Sequence, residues 1–157
     1  MTPRVALESA VITHGLPRPA NLESARECEE AVRESGAEPA TIAVIGGAVR
    51  VGIASEELRT LAEDMEARKC AVQDIGIVVA RGGRGGVTVS ATLAIAGQSG
   101  IAVASTGGIG GVHHGGRDVS ADLYQMTRSP VTLVCAGAKS ILDLPARWRC
   151  SKRSGSR

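Results

Sequence analysis

Residues 101–111, Ile101-Ala102-Val103-Ala104-Ser105-Thr106-Gly107-Gly108-Ile109-Gly110-Gly111, decide the fold class. The apolar run without polar alternation predicts a strand from Ile101 to Ala104 buried on both faces, and the glycines after it predict a loop that can approach a ligand closely. Downstream, Ser120 is placed to cap a short helix from Ala121 to Thr127, and Val131 to Cys135 reads as another doubly buried strand. Upstream, Ile75 to Ala80 reads as a strand of the same kind, Arg81 to Gly86 as a second glycine-rich loop, and Thr88 to Ala96 as a helix. Strand, glycine loop and helix thus recur. The pattern predicts an α/β protein, a layered mixed sheet flanked by helices, with ligand groups gathered at the carboxyl ends of the strands.

Towards the N-terminus, Val5 to Glu8 reads as extended and Thr13 to Pro19 as turn-rich. Asn21 is placed to cap a helix that runs to about Ser35 and stops at Gly36. Thr41 to Ile45 and Val49 to Ile53, separated by Gly46-Gly47-Ala48, give a hairpin signal, and Ser55 with Glu56 and Glu57 opens a helix to about Ala67. The 157 residues suffice for one domain with its own core. With 1% aromatic residues and no Phe, that core must be aliphatic, and a base-stacking platform for single-stranded nucleic acid is excluded.

The net charge of +2 arises in the tail, because Arg147, Arg149, Lys152, Arg153 and Arg157 carry five of the eighteen basic residues. Without them thirteen basic residues face sixteen acidic ones, a net of −3, which gives no support for a nucleic-acid surface. Cys28, Cys70, Cys135 and Cys150 are far apart and form no C-x-x-C. With no signal-peptide pattern at the N-terminus and no apolar run long enough to span a membrane, the chain is expected to be soluble and cytoplasmic, with reduced thiols.

Generic nucleotide fingerprints fail. From Gly108-Ile109-Gly110 the third glycine of G-x-G-x-x-G falls on His113, and Gly137-Ala138-Lys139-Ser140 lacks the earlier P-loop glycine, position 132 being Thr. Lys139 follows a buried strand at the expected start of a helix. An unperturbed lysine is protonated at neutral pH, and a helix N-terminus or an apolar turn lowers its pKa towards a nucleophile's; a surface or ion-paired lysine is the alternative. Asp118-Val119-Ser120-Ala121-Asp122 offers oxygen ligands suited to Mg²⁺ or Mn²⁺, or else merely a cap and a dipole-compensating acid. His113 and His114 are adjacent, and two histidines with no third near them in sequence argue against a catalytic zinc. Glu8 on the first apolar run is either a buried acid able to hold a proton or a solvated glutamate, and Lys69 by itself reads as a helix C-terminal partner.

Taken together, these residues fall into longer motifs. Val5-Ala-Leu-Glu-Ser-Ala-Val-Ile-Thr-His-Gly-Leu-Pro17, Pro39-Ala-Thr-Ile-Ala-Val44, Thr106-Gly-Gly-Ile-Gly-Gly-Val-His113, Asp118-Val-Ser-Ala-Asp-Leu123 and Val134-Cys-Ala-Gly-Ala-Lys-Ser-Ile-Leu-Asp-Leu144 resemble, in order and separation, the pseudouridine-5′-phosphate glycosidase family. The resemblance covers about residues 4–145, the N-terminal part of such a domain. It implies reversible cleavage of the C–C glycosidic bond of pseudouridine 5′-phosphate to uracil and ribose 5-phosphate, with Mn²⁺ or another divalent cation and, in the complete form, a homotrimer. No nucleic acid or membrane partner is implied.

A carbon-linked base is a poor leaving group, and an iminium formed by a lysine at C1′ of the opened ribose supplies an electron sink. By resemblance Lys139 is that nucleophile and Glu8 the proton donor for ring opening. Lys69, Val89, Thr106, Ser120, Ala121 and Asp122 bind substrate, with Lys69 and the loop after Thr106 towards its phosphate, and Asp118 binds the metal. His114 stands where the family commonly has arginine. After Leu144 the expected second stretch gives way to an Arg/Ser-rich tail, 146–157, expected to be disordered, as a truncation or frameshift produces. The alternatives are a catalytically inactive remnant that at most binds a phosphorylated sugar, and an unrelated phosphate-binding regulatory module.

Overall fold

A computed structural model describes residues 2–112 and 118–138. In chain order these form β1 (Arg4–Leu7), α1 (Ala10–His14), α2 (Ala20–Glu34), β2 (Glu38–Ile45), β3 (Ala48–Val51), α3 (Ser55–Glu63), β4 (Arg68–Cys70), α4 (Ile75–Ala80), β5 (Gly85–Val87), α5 (Val89–Gln98), β6 (Val103–Thr106), α6 (Ala121–Met126) and β7 (Thr132–Cys135). The strands run in the order β4-β5-β2-β1-β6-β7, with β3 also paired to β2. From β2 through β1 and β6 to β7 the pairing is parallel, whereas β3 and β5 join β2 antiparallel. The mixed α/β sheet flanked by helices is therefore as expected.

β2 changes partners half-way. Glu38 to Thr41 pair with Arg4 to Leu7, and Ile42 to Ile45 pair with Val51 to Ala48. Ala43 and Val44 also pair with Gly86 and Gly85 of β5. Because successive side chains point to opposite faces, Ile42 and Val44 enter one aliphatic cluster, with Ala6, Val87, Leu93, Ala96 and Ala104, while Ala43 enters another, with Ile12, Leu58, Leu61 and Ala62. α5 is apolar nearly all round and is buried along most of its length, as a helix enclosed in a core must be. On the other side α1 packs against β5, where a Cβ on Gly86 would lie 2.6 Å from the Ser9 carbonyl oxygen. Buried Ser9 seals the junction: its hydroxyl donates to the Ile42 carbonyl at 2.5 Å and accepts from the Val87 amide at 2.9 Å.

Four local expectations change, the first being that the strand at Val131 to Cys135 is not buried on both faces, since Thr132 and Val134 of β7 are exposed. Ile75 to Ala80 is helix, with Val78 buried and Ile77 more than half exposed; a six-residue apolar run carries no period that separates strand from helix. The strands of that region are Arg68–Cys70 and Gly85–Val87, inside a charged segment and a glycine loop, and they pair with each other in parallel. Asn21 lies inside α2 rather than capping it. Its amide donates to the Ile12 carbonyl at 2.8 Å and the Ala62 carbonyl at 3.0 Å, joining α1, α2 and α3.

α2 is anchored by a buried acid. Glu29 accepts from the Thr41 hydroxyl at 2.6 Å and pairs with Arg33 at 2.9 Å, which offsets the cost of removing its charge from water. Thr41→Val leaves a buried carboxylate oxygen short of a donor and is expected to destabilise the fold by ~1–3 kcal/mol, read from the midpoint of urea unfolding. Among the described residues β7 pairs with β6 alone, Val134 is 56% exposed, and an apolar groove of about 490 Å³ runs between α2 and the sheet past Val5, Leu7, Ala25, Val32 and Val103. Where an apolar strand edge is left unpaired it favours self-association. Val134→Lys should lower both hydrophobic-dye fluorescence and light scattering relative to the unchanged chain.

Candidate functional site

Parallel β1, β6 and β7 end on the same side of the sheet, so the residues that follow them converge. Glu8 follows β1, Gly107 to Gly111 follow β6, and Ala136 to Ala138 follow β7. Together with Lys69 of β4, the first turn of α5, the end of α1 and residues 118–122 they enclose a cavity of about 660 Å³. Of the residues predicted for the site, Glu8, Lys69, Val89, Asp118, Ser120, Ala121 and Asp122 all line it. Thr106 stands behind the wall, its hydroxyl donating to Glu8 Oε1. Lys139 lies outside the described residues, as do His113, His114, the expected helix from Lys139 to Leu144 and the tail from 146 onwards; Ala138, which precedes Lys139, lines the cavity.

Asp122 is buried and holds the wall together. Its Oδ1 accepts from the Ser90 amide at 2.9 Å and its Oδ2 from the Gly110 amide at 2.8 Å, so one carboxylate ties the first turn of α5 to the glycine loop. Ser120 caps α6 by accepting from the Asp122 amide at 3.2 Å, and its own amide donates to the Gly111 carbonyl at 2.8 Å. The fit requires glycine at 110, where a Cβ would stand 2.6 Å from Ser120 Cβ and 2.9 Å from Asp122 Oδ2. The loop is fastened on its other side as well, the Ile109 amide donating to the Gly137 carbonyl at 3.0 Å. Ser90 in turn accepts from the Val72 amide at 3.3 Å, fixing the segment that brings Ala71 and Gln73 to the cavity.

Charge inside the cavity is mixed. Glu8, Asp118 and Asp122 face it with Lys69 and His14. The His14 ring is held below the ordinary histidine pKa, first by partial burial and then by the positive charge of Lys69. Lys69 lies in β4, opposite Gly86 of β5, so its reading as a helix C-terminal partner falls: α3 ends at Glu63. Among the described residues no three His, Cys, Asp or Glu side chains come together so as to hold a metal ion. Cys28, Cys70 and Cys135 are free thiols, and burial pushes the Cys70 thiol up, away from reactivity.

The profile of the family described as indigoidine synthase A like protein matches residues 1–150. The chain belongs to that family. Similar members include pseudouridine-5′-phosphate glycosidases from Herpetosiphon aurantiacus, 56% identical over 147 residues, and from Escherichia coli, 51% identical over 146. These alignments cover 92% and 90% of this chain but 48% and 47% of the relatives, so the chain spans about half the length of the curated relatives it matches. Among solved structures it resembles an indigoidine synthase A-like protein from Thermotoga maritima, with TM-score 0.91, 41% identity, and coverage of 97% of this chain and 52% of that one. The prealnumycin C-glycosynthase, solved in complex with ribulose 5-phosphate, gives TM-score 0.87 at 41% identity, covering 98% of this chain and 50% of that one.

His14, Thr88 and Ser90 of the cavity wall were absent from the predicted set. Thr88 and Ser90 read as an ordinary helix start, and His14 sat in a stretch that reads as turn; only the packing of α1 brings it to the cavity. Asp122→Ala strands two backbone amides and is expected to destabilise the fold by ~2–3 kcal/mol. Denaturant unfolding measures the loss, and amide exchange at Ser90 and Gly110 should accelerate more than elsewhere.

Proposed function

We propose that this cavity is the site of a pseudouridine-5′-phosphate glycosidase reaction, the reversible cleavage of the C–C glycosidic bond to uracil and ribose 5-phosphate. The observation that carries the reading is the convergence of Glu8, Lys69, Val89, Asp118 and the Ser120–Asp122 turn on one cavity, in a chain about half identical to proteins that bear this name. The prealnumycin C-glycosynthase structure adds a relative that binds a sugar phosphate.

In this reading the Lys139 amine attacks C1′ and the ribose C1′–O4′ bond breaks, with O4′ taking the Glu8 proton. Expulsion of the base then breaks the C1′–C5 bond. The bonding pair goes to uracil C5, which gains a proton, and the nitrogen lone pair forms the imine. Water adds to the imine and releases ribose 5-phosphate and the free lysine. Thr106 turns Glu8 through the hydroxyl it donates, so its part is orientation of the acid, while the glycine-loop amides and Lys69 receive the phosphate. Asp118 is the residue that would hold Mn²⁺ as an electrostatic anchor for substrate oxygens. Among the described residues Asp118 is not joined by two further His, Cys, Asp or Glu side chains, so the described lining does not by itself make a metal site.

A second reading, a chain that binds a phosphorylated sugar without turnover, draws on the relative solved in complex with ribulose 5-phosphate. Uracil release from pseudouridine 5′-phosphate with Mn²⁺ separates the two. The glycosidase reading expects release, and borohydride trapping of ribose 5-phosphate on Lys139 that disappears in Lys139→Ala. Binding of ribose 5-phosphate with neither release nor trapping selects the second reading.

A further inference from the structure

Among the described residues that line the cavity, Lys69 is the one lysine or arginine and His14 the one histidine. The histidine is carried there by α1, which lies close on Gly86 of β5, and the chain leaves the cavity wall at Gly15. Its Nδ1 sits 2.7 Å from the Thr13 hydroxyl, which orients the ring and leaves Nε2 as the nitrogen available to a ligand. Of the other elements packed against α1, α2, α3 and β5 bring no ionisable side chain to the cavity among the described residues, and β4 brings Lys69 alone; the remaining ionisable groups there are the carboxylates of Glu8, Asp118 and Asp122.

We propose that His14 and Lys69 form a proton-coupled anion subsite, in which the His14 imidazole takes up one proton from solvent as a doubly negative group enters the cavity beside Lys69. With the cavity empty, partial burial of the ring and then the Lys69 charge hold the imidazole below the ordinary histidine pKa, although the residue as a whole stays exposed. A dianion reverses both effects: it compensates Lys69 and gives the imidazolium an ionic hydrogen-bond partner. The bound state therefore holds more protons than the free state, and affinity must rise as pH falls towards the ordinary histidine pKa. A phosphate monoester is the ligand class that fits. This inference rests on the proposed reaction for the identity of its occupant, a sugar phosphate, but its chemistry does not need turnover.

The test uses sulfate, which stays doubly charged across the relevant range. Calorimetric titration of the whole chain at constant ionic strength, in buffers of different ionisation heat at pH 7, should show uptake of a fraction of one proton per sulfate. The Kd should weaken ~3–10-fold from pH 6 to pH 8. His14→Gln should abolish both the uptake and the pH dependence. Should that variant fold poorly, the NMR titration of the His14 ring in the unchanged chain serves instead: its midpoint should rise on adding sulfate, and should rise without sulfate in Lys69→Met. Sulfate binding without proton uptake, uptake that persists in His14→Gln, no sulfate binding, or a His14 midpoint indifferent to sulfate and to Lys69 overturns the subsite. Absence of uracil release with uptake intact counts against the glycosidase reaction and leaves the subsite standing.

Discussion

β2 is confined on both edges and both faces, and the rest of the chain is arranged around that confinement. Its first half pairs with β1, its second half with β3 and β5, while Ile42 and Val44 face one cluster and Ala43 the other. A slip of one residue would exchange the two faces, burying small side chains where large ones fit and large ones where there is no room. With its register set, β1 sits centrally in the parallel set, β6 and β7 extend it, and their carboxyl ends fall side by side. The cavity follows from this topology, because parallel strands deliver the loops after them to one end of the sheet.

The same economy governs the cavity wall. Loops cannot rest on burial of large side chains when most of their residues are glycine, so their shape is held by backbone amides with defined acceptors. Asp122 supplies two of those acceptors and thereby relates α5 to the glycine loop, while the Gly137 carbonyl fastens that loop to the end of β7. Charged acceptors form stronger hydrogen bonds than neutral ones, and burial shields them from competing water. A residue that resemblance would assign to the ligand thus also serves as a joint, and its two parts are separable because one concerns the protein's own amides.

Of the fold, the parallel strands β1, β6 and β7 and the helices α2, α3, α5 and α6 were legible from apolar runs, caps and glycine stops, with ends displaced by a few residues. α4 was not, because a short apolar run satisfies strand and helix alike, nor were β4 and β5, whose charged and glycine residues carry no strand signal and which exist as strands because β2 and each other supply their hydrogen bonds. Of the site, Glu8, Asp118 and the Ser120–Asp122 turn were legible through long motifs, whereas Lys69 lies outside those motifs and came only with the resemblance; taken singly, each had an equally good structural explanation. His14 was illegible because its place depends on how closely α1 lies on Gly86.

By itself the sequence determined the aliphatic character of the core, the α/β class, the glycine loops and the chemistry on offer, since these depend on composition and on neighbours a few residues apart. Tertiary structure alone decided which of those groups meet. Glu8 and Thr106 are 98 residues apart and share a hydrogen bond, and Ser90 and Asp122 are 32 apart and share another. Such contacts are set by strand order and register, in which long-range hydrogen bonding and burial outweigh local preference; no local pattern encodes them.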